Sequence, residues 1–273
     1  MLTFPFAKIN LGLNVVRRRS DGYHEIESVM VPVPLTDALE MRVDANGPAN
    51  AIVYTRHGAA IDGPVEQDLV HRAIRMLQGI RELPALEVHL LKAIPMGAGL
   101  GGGSSDGTHA LMMANSLLDL RLDDAKLAEM AATLGSDCPY FMRREPQLAR
   151  GRGELLEPVA LDLRGHHLVL VNPGIHVSTA TAYKACAPTG RQLDLGGRVL
   201  RPIGEWRELL PNTLSAPVIA MHPEIGRAVE RLYAAGADYA SMSGSGSSVF
   251  GIFRSVPPEL MWPAHYRSWR AIW

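Results

Sequence analysis

The sequence predicts an α/β protein of two domains, in which helices pack against mixed (α+β) sheets. Its 273 residues exceed the roughly 100–200 that a single domain usually takes. Segments in which apolar residues alternate, typical of strands, are interspersed in both halves with segments of helical spacing. The polar, glycine-rich stretch 150–153 lies between the halves, and we therefore place the domains at residues 1–152 and 153–273.

Composition and charge exclude several classes of protein. Hydrophobic residues make up 47% and charged residues 20% of the chain, a balance that supports a large core and argues against disorder. Lys plus Arg number 27 against 28 for Asp plus Glu, so no wholly basic surface is available for nucleic acid. The two cysteines stand in no paired ligand spacing. With no basic leader or bilayer-length apolar run, we expect a cytoplasmic protein without membrane or nucleic-acid partners.

In chain order, the first predicted elements are strands. Over residues 7–16, apolar residues alternate with Lys8, Asn10 and other polar residues. An Asp-Gly pair at 21–22 marks a hairpin turn. Alternation and short apolar runs predict further strands over residues 25–33, 39–43, 51–55 and 86–94.

Helical spacing begins at residue 68. A helix is predicted over 68–78, closed near Gly79. Further helices are predicted over residues 108–118, 122–134, 203–210 and 224–235, with strands over 167–171 and 247–253. The tryptophans at positions 262, 269 and 273 indicate a docked terminal strand or a partner surface, and packing is the favoured alternative.

The densest glycine segment lies between a predicted strand and a predicted helix, which is the setting of a phosphate cradle. Glycine lets the backbone approach a ligand closely, and a helix N-terminus directs unpaired N–H groups at an anion. The segment has neither the Walker A nor the Rossmann spacing, and its alternative is a flexible loop with an N-capping serine. The candidate phosphate-binding residues are Pro95, Met96, Gly97, Ala98, Gly99, Leu100, Gly101, Gly102, Gly103, Ser104 and Ser105.

A second glycine-serine segment, residues 243–248, lies beside the predicted strand in the second half. One such run is commonly a linker. Two of them, one in each half, suggest a cleft that closes around a polyanion.

Three segments together resemble the motifs of the GHMP kinase superfamily: residues 7–11, 95–106 and 243–246. The segments 21–24, 134–139 and 177–184 add signs of one member group, and the matches run in order from about residue 5 to residue 253. The resemblance implies a two-domain GHMP-kinase-like fold with its active site in the interdomain cleft.

The same resemblance implies ATP-dependent, direct in-line phosphorylation of the 2-hydroxyl of a cytidine diphosphate derivative of methylerythritol, in the non-mevalonate isoprenoid pathway. Asp137 matches the family's catalytic base and Lys8 its catalytic lysine. An ammonium ~4–6 Å from a carboxylate favours the ionised form of both groups. Taken alone, Asp137 is more often a turn or cap residue and Lys8 a solvated edge charge.

The resemblance also assigns residues to the substrate. Tyr23 and Tyr183 match positions that stack on the cytosine, and His24 matches the residue that reads the base edge. Asn10 and Thr179 match polar contacts near the methylerythritol hydroxyls and the base. Singly, each of these aromatic residues would more often be structural.

ATP is the implied co-substrate, and its Mg²⁺ is expected to arrive with the nucleotide, held mainly by phosphates rather than by a site built from protein side chains. Two departures from the family pattern stand out. Gly107-Thr108 replaces the usual Ala-Ala, which we expect to weaken the first helical turn, and Asp68 replaces an Asn that contacts adenine.

Two alternatives stay open from the sequence. One is another small-molecule kinase of this superfamily, for homoserine or mevalonate, whose acceptors offer no base to stack on Tyr23, His24 and Tyr183. The other is a non-catalytic RNA-binding module, against which the balanced charge argues. The oligomeric state is open between a monomer and a weak dimer.

Overall fold

The computed structural model describes residues Met1 to Trp273. The strands are β1 (Leu2–Thr3), β2 (Phe6–Arg18), β3 (His24–Thr36), β4 (Ala38–Asp44), β5 (Ile52–Gly58), β6 (Ala85–Lys92), β7 (Gln147–Arg150), β8 (Leu155–Pro158), β9 (His167–Asn172), β10 (Tyr239–Met242), β11 (Val249–Phe253) and β12 (Arg267–Ile272). The α-helices are α1 (Leu69–Gln78), α2 (Gly102–Leu117), α3 (Asp124–Leu134), α4 (Thr179–Ala185), α5 (Leu195–Arg198), α6 (Trp206–Leu209), α7 (Ser215–Met221) and α8 (Pro223–Ala234). Short 3-10 turns cover Val65–Gln67, Cys138–Met142 and Ile203–Glu205.

The strands form three four-stranded sheets, with orders β1-β4-β6-β5, β2-β3-β7-β8 and β10-β11-β9-β12. Strands β5 and β6 pair in parallel, whereas β4 pairs with β6, β7 with β8 and β9 with β11 in antiparallel fashion. The prediction of mixed sheets with helices is confirmed. No helix of the chain is both long enough and apolar enough to cross a bilayer.

The chain divides into two compact units, each assembled from separate stretches of sequence. Unit 1 comprises residues 1–7, 35–96 and 101–144, and unit 2 comprises residues 8–34, 97–100 and 145–273. The predicted sequential domains at 1–152 and 153–273 stay a prediction. Residues 151–154 form the turn that joins β7 to β8, and Arg150, the last residue of β7, pairs with Leu155.

In unit 1, helix α1 forms where its periodicity predicts it. The side chain of Asp68 caps the helix by accepting a hydrogen bond from the Val70 amide at 2.9 Å, and Gly79 ends the helix. Its apolar face enters a core shared with β4, β6, α2 and α3. The capping aspartate, the apolar spacing and the terminal glycine are all local signals, which is why the sequence predicts this helix closely.

Helix α2 begins at Gly102, and its predicted start at residue 108 was wrong. The added first turns consist of glycine, serine and Asp106, which have weak helix propensity. The glycine expected to weaken these turns has a packing role instead. A Cβ at Gly107 would lie 2.7 Å from the Cβ of Leu69, so only glycine lets α1 approach α2 this closely.

In unit 2, the sheet β10-β11-β9-β12 packs against α8 over a core of small and branched apolar residues. Strand β12 pairs antiparallel with β9, placing Trp269 opposite Leu170. The indole N–H of Trp273 donates to the carbonyl of Pro32 at 2.9 Å. The tryptophan-rich C-terminus is therefore a docked strand, which confirms the packing alternative.

Candidate active site

Lys8 lies on β2 and its side chain is buried, at 3% exposure. Its Nζ donates to Oδ1 of Asn10 at 2.6 Å and to the carbonyl of Gly99 at 3.2 Å, while its backbone N–H donates to the carbonyl of Leu100 at 3.0 Å. A buried ammonium is costly unless oxygen atoms surround it. Lys8 is therefore a buried, hydrogen-bonded cation beside the glycine-rich segment and not a solvated lysine at a strand edge.

Asn10 is fixed by a chain of hydrogen bonds. Its Nδ2 donates to Oγ of Ser28 at 2.8 Å, and that hydroxyl donates to the carbonyl of Gly12 at 2.7 Å. The amide therefore presents its oxygen to Lys8 and cannot flip without breaking both contacts. Ser28 had no signal in the sequence, because it reaches Asn10 only through the pairing of β2 with β3.

The glycine-rich segment contacts the second glycine-serine segment within unit 2. Gly99 has a φ of +77°, and a Cβ there would lie 2.0 Å from the carbonyl oxygen of Ser243. The hydroxyl of Ser243 donates to the carbonyl of Gly99 at 2.8 Å, and the amide of Ser248 donates to the carbonyl of Ala98 at 3.1 Å. Glycine is required at position 99 by both its conformation and the close approach of the two backbones.

The first turn of α2 is open to an anion. Its N-cap, Gly101, is left-handed with a φ of +70° and provides no side-chain hydrogen bond to the helix. The first amides of a helix have no partners within it, and here no capping side chain covers them. Ser104 is half-buried and Ser105 is buried. Of the other candidate residues, Met96 is 43% exposed, Pro95 and Gly103 are half-buried, Gly97 is exposed and Gly102 is buried.

Asp137 precedes the 3-10 turn Cys138–Met142 and occupies its N-cap position in unit 1. This turn is tied to α2 through Thr108, whose hydroxyl lies 2.8 Å from the carbonyl oxygen of Cys138 and 2.9 Å from that of Ser104. Thr108, one of the two residues that replace the family's usual Ala-Ala, therefore helps to hold the segment that carries Asp137. Lys8 belongs to unit 2, and the predicted charge pair of Lys8 with Asp137 stays a prediction.

Two of the predicted base-reading residues contact each other. The rings of His24 and Tyr183 have centroids 5.1 Å apart and planes inclined by 32°. Partial burial, together with the charge of Arg18, lowers the pKa of His24, so its neutral ring offers one donor and one acceptor. Tyr23 is 54% exposed, with the guanidinium of Arg152 5.0 Å from its ring centroid.

Thr179 is exposed at the start of α4, and its Oγ1 lies 3.0 Å from Oγ of Ser245. This contact brings the predicted base-side residue to the second glycine-serine segment. The second glycine-serine segment therefore contacts both Thr179, a proposed substrate residue, and Gly99 of the glycine-rich segment, all within unit 2.

A buried charge cluster that the sequence analysis missed anchors both ends of the glycine-rich segment. Nζ of Lys92 contacts Oδ2 of Asp37 and lies 2.7 Å from Oδ2 of Asp106. Oδ1 of Asp37 accepts hydrogen bonds from the amides of Ala93 at 2.6 Å and Ile94 at 2.8 Å. The residues just after β6, where the segment starts, and the first turns of α2, where it ends, are therefore both attached to the ion pair of Lys92 and Asp37.

The charge balance of this cluster is uneven, since one ammonium serves two carboxylates. Oδ1 of Asp106 is buried and has no hydrogen-bond partner, and burial raises the pKa of Asp106 well above its ordinary value. The two carboxylates outweigh the effect of burial on Lys92 and raise the pKa of its ammonium. The only sequence signal was Lys92 at the end of an apolar strand, since its partner Asp37 lies far away in the chain.

Asp68, which replaces the family's asparagine, is occupied by structural contacts. Besides capping α1, it accepts a hydrogen bond from the hydroxyl of Tyr54 at 3.0 Å. Burial and the neighbouring carboxylate of Asp68 raise the pKa of that hydroxyl far above its ordinary value, so it stays protonated as a donor.

Comparison with known proteins places these features in a family. The model of the GHMP kinases N terminal domain matches residues 68–144, and that of the GHMP kinases C terminal matches residues 199–262. The chain is 43% identical over 267 residues to the 4-diphosphocytidyl-2-C-methyl-D-erythritol kinase of Parabacteroides distasonis, covering 98% of this chain and 94% of that relative.

Solved structures show the same relationship. A crystal structure of 4-(cytidine 5'-diphospho)-2C-methyl-D-erythritol kinase is 31% identical, with a TM-score of 0.79, and covers 99% of this chain and 98% of the other. Homoserine kinase from Cytophaga hutchinsonii shares the fold at 17% identity, with a TM-score of 0.63 over 92% of this chain and 85% of its own. The chain therefore belongs to the GHMP kinases, in the family of the 4-diphosphocytidyl-2-C-methyl-D-erythritol kinases.

Proposed function

We propose that this chain transfers the γ-phosphoryl group of ATP to the 2-hydroxyl of 4-diphosphocytidyl-2-C-methyl-D-erythritol, a step of the non-mevalonate route to isoprenoid precursors. One observation carries the proposal: the buried ammonium of Lys8 donates to the backbone of Gly99, within the glycine-rich segment. A fixed positive charge beside a phosphate cradle is what phosphoryl transfer requires of a protein.

The residues of the glycine-rich segment fit the phosphates of a nucleoside triphosphate. The uncapped first turn of α2 offers backbone N–H groups to phosphate oxygens, and Gly101 holds the left-handed conformation that opens this turn. Mg²⁺ would arrive with the nucleotide, held mainly by phosphate oxygens, and would neutralise part of their charge. The proposed phosphate-binding residues are those of the segment 95–105.

Asp137 is the proposed base. Its carboxylate takes the proton of the 2-hydroxyl, the oxygen attacks the γ-phosphorus, and ADP leaves on the opposite side. Lys8 would stabilise the negative charge that develops on the oxygen and keep the carboxylate ionised. Asn10 supports this role because its amide oxygen restrains the ammonium at 2.6 Å.

The proposed specificity for a cytidine diphosphate comes from an aromatic and polar wall in unit 2. His24 and Tyr183 already contact each other, and stacking of a base is worth roughly 1–3 kcal/mol per ring. Tyr23 is exposed and free of core packing, and Thr179 supplies a hydroxyl. Acceptors such as homoserine or mevalonate have no ring to use such a wall. We further propose a cytoplasmic enzyme, monomeric or weakly dimeric, that binds no nucleic acid.

The decisive experiment is a coupled ADP-release assay with 4-diphosphocytidyl-2-C-methyl-D-erythritol, homoserine and mevalonate in parallel. Turnover should require the cytidine compound. Asp137→Asn should lower kcat by roughly 10²–10⁴-fold, as expected for loss of a general base, and leave ATP affinity within a few-fold. Asp124→Asn, an exposed aspartate in the first turn of α3, is the matched control and should retain full activity.

Two results would contradict the proposal. Turnover of homoserine or mevalonate in preference to the cytidine compound would refute the substrate assignment. Near-normal kcat in Asp137→Asn would refute the assignment of the base while leaving the substrate assignment intact.

A further inference from the structure

A polar cavity of about 300 Å³ lies in unit 2, apart from every residue assigned to the kinase site. Three of its lining side chains are guanidinium groups. The polar residues that line it are Arg150, Arg191, Arg198, Glu27, Asp194 and Gln192.

The cavity lies on the opposite face of the sheet β2-β3-β7-β8 from the Lys8–Asn10–Ser28 network. Neighbouring residues of a strand point to opposite faces, so Glu27 points away from the face on which Ser28 bonds Asn10. Ser28 pairs with Ala149, and this register continues to set Arg150 opposite Glu27. The thickness of the sheet therefore separates the cavity from the Lys8–Asn10–Ser28 network.

Both carboxylates that line the cavity are engaged by backbone amides: Asp194 accepts a hydrogen bond from the amide of Gly197 at 3.3 Å at the start of α5, and Glu27 is held more tightly. Glu27 is 0% exposed, and its two oxygens accept hydrogen bonds from the amides of Leu193 at 2.7 Å and Leu195 at 2.9 Å. It forms no ion pair with any of the three arginines. Its contribution is to hold residues 193–195 against the sheet, in an arrangement in which Arg191 and Arg150 line the same cavity.

The arginines retain donors that the protein does not use. Arg150 donates from Nη1 to Glu157 at 2.8 Å, yet its Nε is buried with no acceptor. Arg198 makes one side-chain bond, from Nη1 to the carbonyl of Leu209 at 3.1 Å. The guanidinium of Arg191 has no hydrogen bond or ion pair within the chain. Each guanidinium carries five N–H donors in a fork that fits phosphate or carboxylate oxygens.

We propose that this cavity binds a small multivalent anion bearing phosphate or carboxylate groups. Its volume is at the lower end of the range for small-ligand sites, roughly 300–1,000 Å³, which suits a diphosphate or a tricarboxylate. No aromatic side chain lines it, so the site offers nothing on which a nucleobase could stack.

The site adjoins the segment that follows α4. The amides of Thr189 and Gly190 donate to the carbonyls of Val15 and Val16 at 2.9 Å, and the chain then enters the cavity wall at Arg191. An anion held between Arg191 and Arg150 ties this segment to the sheet. Binding should therefore protect the amides of residues 189–195 from hydrogen exchange.

The test uses the full chain, with inorganic diphosphate and citrate titrated separately at low salt. Calorimetry gives affinity, and hydrogen exchange locates the site. At least one anion should bind and protect residues 189–195; tighter diphosphate indicates a phosphate ligand and tighter citrate a carboxylate ligand. Diphosphate bound at the glycine-rich segment would instead protect residues 97–105, which separates this proposal from the proposed function.

Arg191→Met should weaken binding at least tenfold and abolish protection of 189–195. Arg191→Lys keeps the charge and loses the fork, and should weaken binding about threefold; it also serves if the methionine variant does not fold. The matched control is Arg164→Met, since Arg164 is an exposed arginine of the same unit, paired with Asp162. The proposal is overturned if neither anion protects 189–195, or if Arg164→Met weakens binding as much as Arg191→Met.

Discussion

Replacing Lys92 by methionine should lower the free energy of unfolding by about 3–5 kcal/mol, the cost of leaving a buried charge without its partner. The side chains of Lys92 and Asp37 are 0% exposed and that of Asp106 is 3% exposed, so water cannot replace the ammonium. Methionine fills similar space, which limits the cavity contribution. The melting temperature should fall by roughly 6–20 °C for a chain of this size.

The stability contributed by the buried carboxylate of Asp106 depends on pH. Burial raises the pKa of Asp106 in the folded protein, so the folded state holds this proton more tightly than the unfolded state. The contribution of Asp106 to the free energy of unfolding is therefore complete below about pH 4 and is lost as the pH rises through the raised pKa. Lys92→Met removes the charge that favours the ionised form of the carboxylates, so they take up protons more readily as the pH falls. The loss of unfolding free energy caused by Lys92→Met should therefore be smaller at pH 5 than at pH 7.

The assay is chemical denaturation of the purified variants at pH 7 and pH 5. Lys126→Met is the control, because Lys126 is 45% exposed and pairs with Glu129 on the surface, where such a pair is worth about 1 kcal/mol or less. Asp106→Asn, which keeps the shape and leaves one ammonium with one carboxylate, should cost less than half as much as Lys92→Met. Unfolding of Lys92→Met at the same denaturant concentration as Lys126→Met would show that the buried ammonium does not stabilise the fold.

Three further outcomes are expected. Gly107→Ala should cost about 1–3 kcal/mol by overpacking, since its Cβ would meet Leu69 at 2.7 Å, whereas Gly204→Ala, with 3.6 Å of clearance, should stay within about 0.5 kcal/mol in thermal unfolding. Tyr183→Ala should raise KM for the cytidine substrate by roughly 5–150-fold through lost stacking, with the KM for ATP unchanged in steady-state assays. Thr108→Val should lower kcat by a larger factor than it changes the KM for ATP, because it removes a hydrogen bond that holds the turn carrying the proposed base. Equal changes in the two parameters would argue against that role.

The parts of the fold that could be predicted are those with local causes. Helix α1 is bounded by Asp68 and Gly79, two residues whose capping roles depend on immediate neighbours. The first turns of α2 could not be predicted, because residues 102–107 lack apolar periodicity and lie in the helix through contacts such as that of Asp106 with Lys92. Propensity is a weak signal where tertiary contacts decide.

The candidate site divides in the same way. The glycine-rich segment and Lys8 stand out in the sequence because glycine runs and a charge on an apolar strand are unusual in themselves. The residues that hold them do not stand out. Ser28, Ser243 and Asp37 are ordinary polar residues whose positions follow from strand pairing and from loops that meet across long stretches of chain.

The interleaving of the two units has a consequence for synthesis on the ribosome. Domains generally fold as they emerge, N-terminal first. Here residues 8–34, which carry Lys8 and the β2–β3 hairpin, belong to a unit whose remaining strands lie after residue 145, while residues 35–96 and 101–144 of the other unit emerge in between. The first hairpin to leave the exit tunnel must therefore wait, unpaired with β7, until most of the polypeptide has been translated, and β12 closes its sheet only when the last codons have been read.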